Sequence, residues 1–172
     1  MRQGAAGGRA WVFGDEVDTD ALAPGRYMKS GIEEIARHCL ESVDPRFAAE
    51  VRPGDIVVAG SNFGMGSSRE QAAEALKHLG VAAVIARSYA GLFYRNAFNL
   101  GLPLLVCADA ASVRAGEILR VNAGAGRAEN LTRGTALACE PIPPHLAELV
   151  RDGGLLGHLE KRLKRGKDPA SP

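Results

Sequence analysis

The segment 55-DIVVAGSNFGMGSSREQAAEALKHLGVAAVIA-86 decides the fold. Its two ends, 55-DIVVAG-60 and 81-VAAVIA-86, are near-continuous apolar runs of strand length. Between them Ala72, Ala73, Leu76 and Leu79 recur at helical spacing and stop at Gly80, a residue suited to a helix C-terminal cap. The pattern then repeats: Leu92, Phe93, Ala97 and Leu100 end at Gly101, and 102-LPLLVC-107 is a third apolar run. Strands that are apolar along their whole length must be covered on both faces. The expectation is therefore an α/β fold with a parallel βαβαβ core.

Working outward, 10-AWVFG-14 reads as a short strand, followed by the long polar segment 14-GDEVDTDALAPGRYMKSG-31. Compact domains keep such loops mostly for function. Ile32, Ile35, Ala36, Cys39 and Leu40 then recur at helical spacing, with Glu33, Glu34 and Arg37 on the opposite face. Beyond Ala108 the segments 117-EILRVNAG-124, 127-RAENLT-132 and 135-TALACEPI-142 alternate around Gly-rich turns, as short antiparallel strands do. A helix from about Pro144, the pair Gly153-Gly154 and a second helix with a basic end close the chain. Residues 1–9 read as a flexible N-terminus, 10–165 as one domain without repeat or linker, and 166–172 as a flexible tail.

The 172 residues carry a net charge of +1, with 46% hydrophobic, 24% charged and 5% aromatic residues. This composition fits one globular core and supplies no global field for nucleic acid or an anionic membrane. The basic run 161-KRLKRGK-167 reads as a solvated helix end. Neither a signal peptide nor a membrane span of about 20 apolar residues is legible, so a cytoplasmic protein is expected. Cys39, Cys107 and Cys139 lack metal-ligand spacing and read as buried reduced thiols.

The glycine–serine loop leaves a strand's C-terminal end and enters a helix, the place where open α/β sheets bind ligands. Ser67 with Glu70, and Ser68 with Gln71, fit capping boxes. Unpaired N–H groups favour an anion near both serines, and Gly64 and Gly66 allow close backbone approach. The plainer alternative, serines that only cap and glycines that only turn, stays open at this point. A phosphate loop would need a lysine after Gly66, and the dinucleotide fingerprint a glycine where Arg69 stands. The nucleophile-elbow and SxxK patterns are absent. Serines, an arginine and free N–H groups suit a carboxylate, which guanidinium binds through two hydrogen bonds.

The run GSNFGMGSSREQAAEALK resembles the signature of the aconitase superfamily's swivelling domain, and within it the free-standing small subunits of the isopropylmalate dehydratase and homoaconitase group. The stretches 14-GDEVDTDALAPGRYM-28, 87-RSYAGLFYRNAFNLGLPLL-105 and 153-GGLLGHLEKRL-163 agree in order, over about residues 11–165. The resemblance implies a β/β/α swivelling domain and a hydro-lyase that isomerises a 2-hydroxy acid by removing and re-adding water. It implies activity only with a large subunit, in a heterodimer or heterotetramer, and a [4Fe–4S] cluster on that partner; this chain would bind no metal or cofactor. Ser67 matches the family's base and Arg69 its substrate-carboxylate ligand, with Ser68 adding a hydrogen bond. Asp20 matches an acidic residue that handles a proton or supports the site, unless it is only a turn-forming aspartate.

The loop after Pro24 and Gly25 touches the variable part of the family's substrates. Here it carries Tyr27, Met28 and Lys29, which match neither the apolar isopropyl pattern nor the Tyr-Leu-Arg of homoaconitases. Lys29 either reaches a distal carboxylate or keeps its head in water. Isopropylmalate, in leucine biosynthesis, ranks first, with homoaconitate and small methylated malates as rivals. A non-catalytic anion-binding module and a nucleotide-binding protein are the readings from other classes. Arg95 and Asn96 are expected to support the loop or an interface. His38, His78, His145 and His158 are expected at the surface or an interface, not as ligands. Met65 stands where many relatives have cysteine, so no thiol chemistry is expected there.

Overall fold

The structure, a computed structural model, describes residues 7–167. The expected parallel core is there: β1 (Gly8–Val12), β2 (Ile56–Val58), β3 (Ala83–Ala86) and β4 (Leu104–Val106). Three antiparallel strands follow, β5 (Ile118–Asn122), β6 (Arg127–Asn130) and β7 (Thr135–Ala138). All seven form one sheet in the order β4-β3-β2-β1-β5-β6-β7. β1 is its pivot, parallel to β2 with Ala10 opposite Ile56 and antiparallel to β5 with Gly8 opposite Leu119. Gly8 and Arg9, placed by the sequence in a flexible N-terminus, are therefore the start of a strand; residues 1–6 and 168–172 lie outside the described residues.

Helices α1 (Thr19–Leu22), α2 (Ile32–Arg37), α3 (Phe47–Glu50), α4 (Glu70–His78) and α5 (Gly91–Asn99) precede the antiparallel half, and α6 (Pro144–Arg151) and α7 (Leu155–Gly166) follow it. The crossovers β2-α4-β3 and β3-α5-β4 run in the same direction along the sheet, which places α4 and α5 in contact on one face, where α1 and α2 pack against α4. Gly80 and Gly101 adopt left-handed φ of 83° and 79° just past α4 and α5, the conformation that glycine alone adopts without strain. The other face is covered not by helices but by the sheet itself. Its ends curl together, and Cys107 pairs with Cys139 as an antiparallel bridge flanked by a 2.8 Å bond from the Glu140 N–H to Val106 O. Along the antiparallel half Leu119, Val121, Ala128, Asn130 and Leu137 are buried between exposed or partly exposed neighbours, the two-residue period of a sheet with one wet face.

Local reading failed where distant groups intervene. The helix expected to reach Leu40 stops at Arg37, because Leu40 turns left-handed (φ 60°) and donates its N–H to Ala21 O at 2.7 Å. The polar segment 14–31 contains α1 and a 3-10 turn, Gly25–Tyr27. Helix α3 delivers Phe47 edge-on to Trp11 and Phe13, with centroids at 5.3 and 5.6 Å. Buried Asp55 accepts from Trp11 Nε1 at 3.0 Å, Arg52 N at 3.0 Å and Arg9 N at 3.1 Å, so its charge is fully hydrogen-bonded. Among the described residues, no helix is long and apolar enough to cross a membrane.

Candidate active site

Three loops meet beyond the C-terminal ends of β1, β2 and β3, and they continue the parallel ladder without regular strand geometry. On one side, Glu16 N–H donates to Ser61 O at 2.8 Å, Gly64 N–H to Val17 O at 2.7 Å and Thr19 N–H to Met65 O at 2.8 Å. On the other, Phe63 N–H donates to Ser88 O and Ala90 N–H to Phe63 O, both at 3.0 Å. Phe63 is fully buried and meets Phe93 edge-on at 5.2 Å. The hydroxyl of Tyr89 lies 2.8 Å from Leu105 O and 2.9 Å from Val84 O, which pins the third loop to the sheet. The glycine–serine loop is thus clamped on both edges.

Two glycines permit this. Gly64 (φ 83°) runs against the Phe93 ring, and Gly66 (φ 104°) would bring a Cβ within 3.1 Å of Thr19 Oγ1. Beyond them Ser67 points its Oγ at Thr19 Oγ1, 3.2 Å away. Thr19 is buried, whereas Gly66, Ser67 and Ser68 are exposed. Arg69 Nη1 donates to Asp20 Oδ1 and to Ala23 O, each at 2.9 Å, and Asp20 Oδ1 also accepts from Gly25 N–H at 2.9 Å. The Arg69 guanidinium, and then the Gly25 N–H, hold the Asp20 carboxyl below the usual carboxylate range.

The expected capping boxes do not form. Arg69 is itself the N-cap of α4, with extended φ and ψ of −66° and 112° and no side-chain cap bond. Its side chain is committed to the first loop, so the helix begins at Glu70, past both serines. The backbone N–H groups of residues 66–71 consequently have no protein acceptor among the described residues. They form a row of donors at a positive helix end, beside Ser67 and Arg69. The Nε and Nη2 of Arg69 likewise have no protein acceptor among the described residues.

Of the residues singled out in the sequence, Ser67, Ser68, Arg69, Asp20, Gly64 and Gly66 come together here. Tyr27 ends the 3-10 turn that Gly25 begins, and its ring stacks on His38 at 3.7 Å with Arg26 over it at 5.0 Å. Lys29 is exposed two residues further on, with no hydrogen-bonding partner among the described residues. Arg95 and Asn96 make no side-chain hydrogen bond among the described residues; the loop support expected of them comes from Tyr89. Thr19 and Gly25 were missed, because a threonine between aspartates and a glycine after proline read as ordinary turn residues. His38 bridges Glu41 (2.6 Å) and Glu34 (3.1 Å), His158 meets Asp152 (2.7 Å), and His78 and His145 are exposed. Among the described residues no three His, Cys, Asp or Glu side chains are grouped to hold a metal. Cys39 lies in the core, and Cys107 and Cys139 face each other across the sheet's seam, so these residues do not fit an iron–sulfur cluster.

A curled seven-stranded sheet bearing this loop defines the class: the chain belongs to the aconitase C-terminal domain family, which its residues 20–109 match. Within it the chain is similar to small subunits of two-part dehydratases. The 3-isopropylmalate dehydratase small subunit 2 of Archaeoglobus fulgidus is 49% identical over 156 residues, 90% of this chain and 94% of that protein. The methanogen homoaconitase small subunit of Methanothermobacter thermautotrophicus is 46% identical over 165 residues, 95% of this chain and 96% of its own. A crystal structure of 3-isopropylmalate dehydratase from Methanocaldococcus jannaschii shares the fold with a TM-score of 0.87, at 41% identity over 93% of this chain and 96% of that one.

Proposed function

We propose that this chain is the small subunit of a hydro-lyase that isomerises 3-isopropylmalate and 2-isopropylmalate by dehydration and rehydration, a cytoplasmic step of leucine biosynthesis. The observation that carries the reading is the exposed Ser67 beside an Asp20–Arg69 pair on a surface loop. That is half of a site, to be completed by a large subunit.

Ser67 Oγ takes the proton from the substrate carbon next to a carboxylate and returns it in the reverse step. A serine hydroxyl is far too weak an acid to ionise unaided, so its anion must be stabilised locally. Thr19 Oγ1 donates to it from a buried position, the free N–H groups of residues 66–71 supply a positive helix end, and Arg69 adds a full charge. Closure by a partner would exclude water and strengthen all three. Arg69 keeps Nη1 on Asp20 and offers Nε and Nη2 to the substrate carboxylate, with Ser68 alongside. Asp20 is a positioning residue: it fixes the guanidinium and, through Gly25, the turn that leads to Tyr27 and Lys29. Among the described residues no side-chain group is arranged to hold a metal that would accept the departing hydroxyl, and the [4Fe–4S] cluster belongs with the large subunit.

The unpartnered, exposed ammonium of Lys29 favours a second reading, in which the substrate carries a distal carboxylate as homoaconitate does. The test combines the chain with a reconstituted large subunit and assays isopropylmalate, homoaconitate, citrate and dimethylmalate. The pair is expected to be active and each chain alone inactive, with Ser67→Ala lowering kcat by orders of magnitude at an unchanged melting temperature. Activity from this chain alone, or a fully active Ser67→Ala pair, contradicts the proposal. Lys29→Val is expected to move preference toward isopropylmalate; no movement means that Lys29 faces water.

A further inference from the structure

We propose that Cys107 and Cys139 are a reversible redox site, two thiols placed to close into an intramolecular disulfide when a small-molecule disulfide reaches them. The geometry is set by the sheet's seam. Cys107 directly follows β4, Cys139 directly follows β7, and the two are opposite each other in an antiparallel bridge. The Glu140 N–H donates to Val106 O at 2.8 Å, so the bonds flank the cysteines and do not join them. This makes them a non-hydrogen-bonded pair, whose Cα atoms lie about 4.5 Å apart with side chains on the same side. The spacing typical of such pairs falls at the lower end of the window of about 4.4–6.8 Å that a disulfide needs.

The thiols also touch. The Cys139 S–H beside Cys107 lowers the Cys107 thiol to about 7, and the same contact, with burial, raises that of Cys139. Cys107 is therefore the more acidic of the two thiols. Cys107 is fully buried and Cys139 partly exposed, so a reagent meets Cys139 first. Cys139, the exposed sulfur, passes its proton to the Cys107 thiolate beside it as it attacks the small disulfide RSSR, forming Cys139–S–SR and releasing RS⁻. That thiolate takes the Cys107 proton, and Cys107 Sγ then attacks Cys139 Sγ and expels the second RS⁻, which is protonated by water. Two thiols are oxidised to one disulfide and RSSR is reduced to two RSH. Cys39 is a built-in control, since it is fully buried elsewhere in the core and burial alone pushes its thiol far up.

The full chain treated with oxidised glutathione is expected to lose about 2 Da with no adduct, through a Cys107–Cys139 linkage that mapping identifies and a dithiol reverses. Its melting temperature is expected to rise by on the order of 10 °C, because the bond closes a long loop. Cys107→Ser is expected to stop at a stable glutathione adduct on Cys139, and Cys139→Ser to gain none. A wild-type chain that stops at the mixed adduct, or whose two thiols both alkylate after oxidation, overturns the proposal. This outcome is independent of the catalytic reading, because no assay of turnover enters it.

Discussion

Replacing Gly64 by alanine isolates what holds the glycine–serine loop. Its φ of 83° is left-handed, where a Cβ costs about 1–2 kcal/mol. The new methyl group would also overlap Phe93 Cβ and Cγ and come within 2.7 Å of Cδ1. Phe93 cannot step aside easily, since it is 2% exposed and its ring is packed by Phe63 and Tyr89. Overpacking of this kind costs a further 1–3 kcal/mol or so. The sum, about 2–5 kcal/mol, corresponds to a fall in Tm of roughly 5–20 °C for a chain of this size. Gly91→Ala is the control: it opens α5, has nothing within 4 Å of the added Cβ, and is expected to be neutral or slightly stabilising. Thermal unfolding followed by circular dichroism, with urea titration to check that m is unchanged, reads both variants. A Gly64→Ala protein melting within a degree or two of the parent would falsify the clamped-loop description.

Asp20→Asn is expected to cost at most about 1 kcal/mol of stability, because the Asp20 side chain is 69% exposed and such pairs are screened. The same change is expected to lower kcat/KM of the assembled enzyme about tenfold or more by freeing Arg69; an unchanged kcat/KM denies Asp20 its positioning role. Asp55→Ala leaves the indole N–H of the only tryptophan unpaired and is expected to cost about 3 kcal/mol, with a shift in emission; an unaltered spectrum removes the Trp11–Asp55 bond from the account. Glu41, with Glu34, keeps His38 protonated above its usual range, so its stabilising effect is complete below the ordinary imidazole pKa and fades as pH rises through the raised one. The stability gap between the parent and His38→Gln should accordingly shrink as pH rises from below the ordinary imidazole range through the raised one, and a constant gap refutes the pairing.

The parallel core was legible because its signals are local: apolar runs of strand length, helical spacing and a glycine at each helix end. The antiparallel segments near residues 118–138 were legible for the same reason. The central role of β1 was not, since a strand with parallel and antiparallel neighbours from residues 56 and 119 carries no sequence mark of either partner. In the site, Ser67 and Arg69 stood out by motif, but the bonds that orient them come from residues 46–49 positions away. Those bonds also explain the capping error, because Ser-x-x-Glu promises a local cap only while no distant group claims the turn. Tyr27 stacked on His38 is a similar case: two ordinary residues on separate turns, joined by the path of the first loop.

The meeting of Cys107 with Cys139 has a bearing on how such a chain survives before it finds its counterpart. A sheet with two open margins offers rows of unpaired amides to any neighbouring copy, and that is a common beginning of aggregation. Here the strands that would be those margins, β4 and β7, are only three and four residues long and turn toward each other at Val106 and Glu140. The newly made polypeptide can therefore wait with the margins of its sheet turned toward each other and away from neighbouring copies, leaving the loops above the sheet as the part still seeking company.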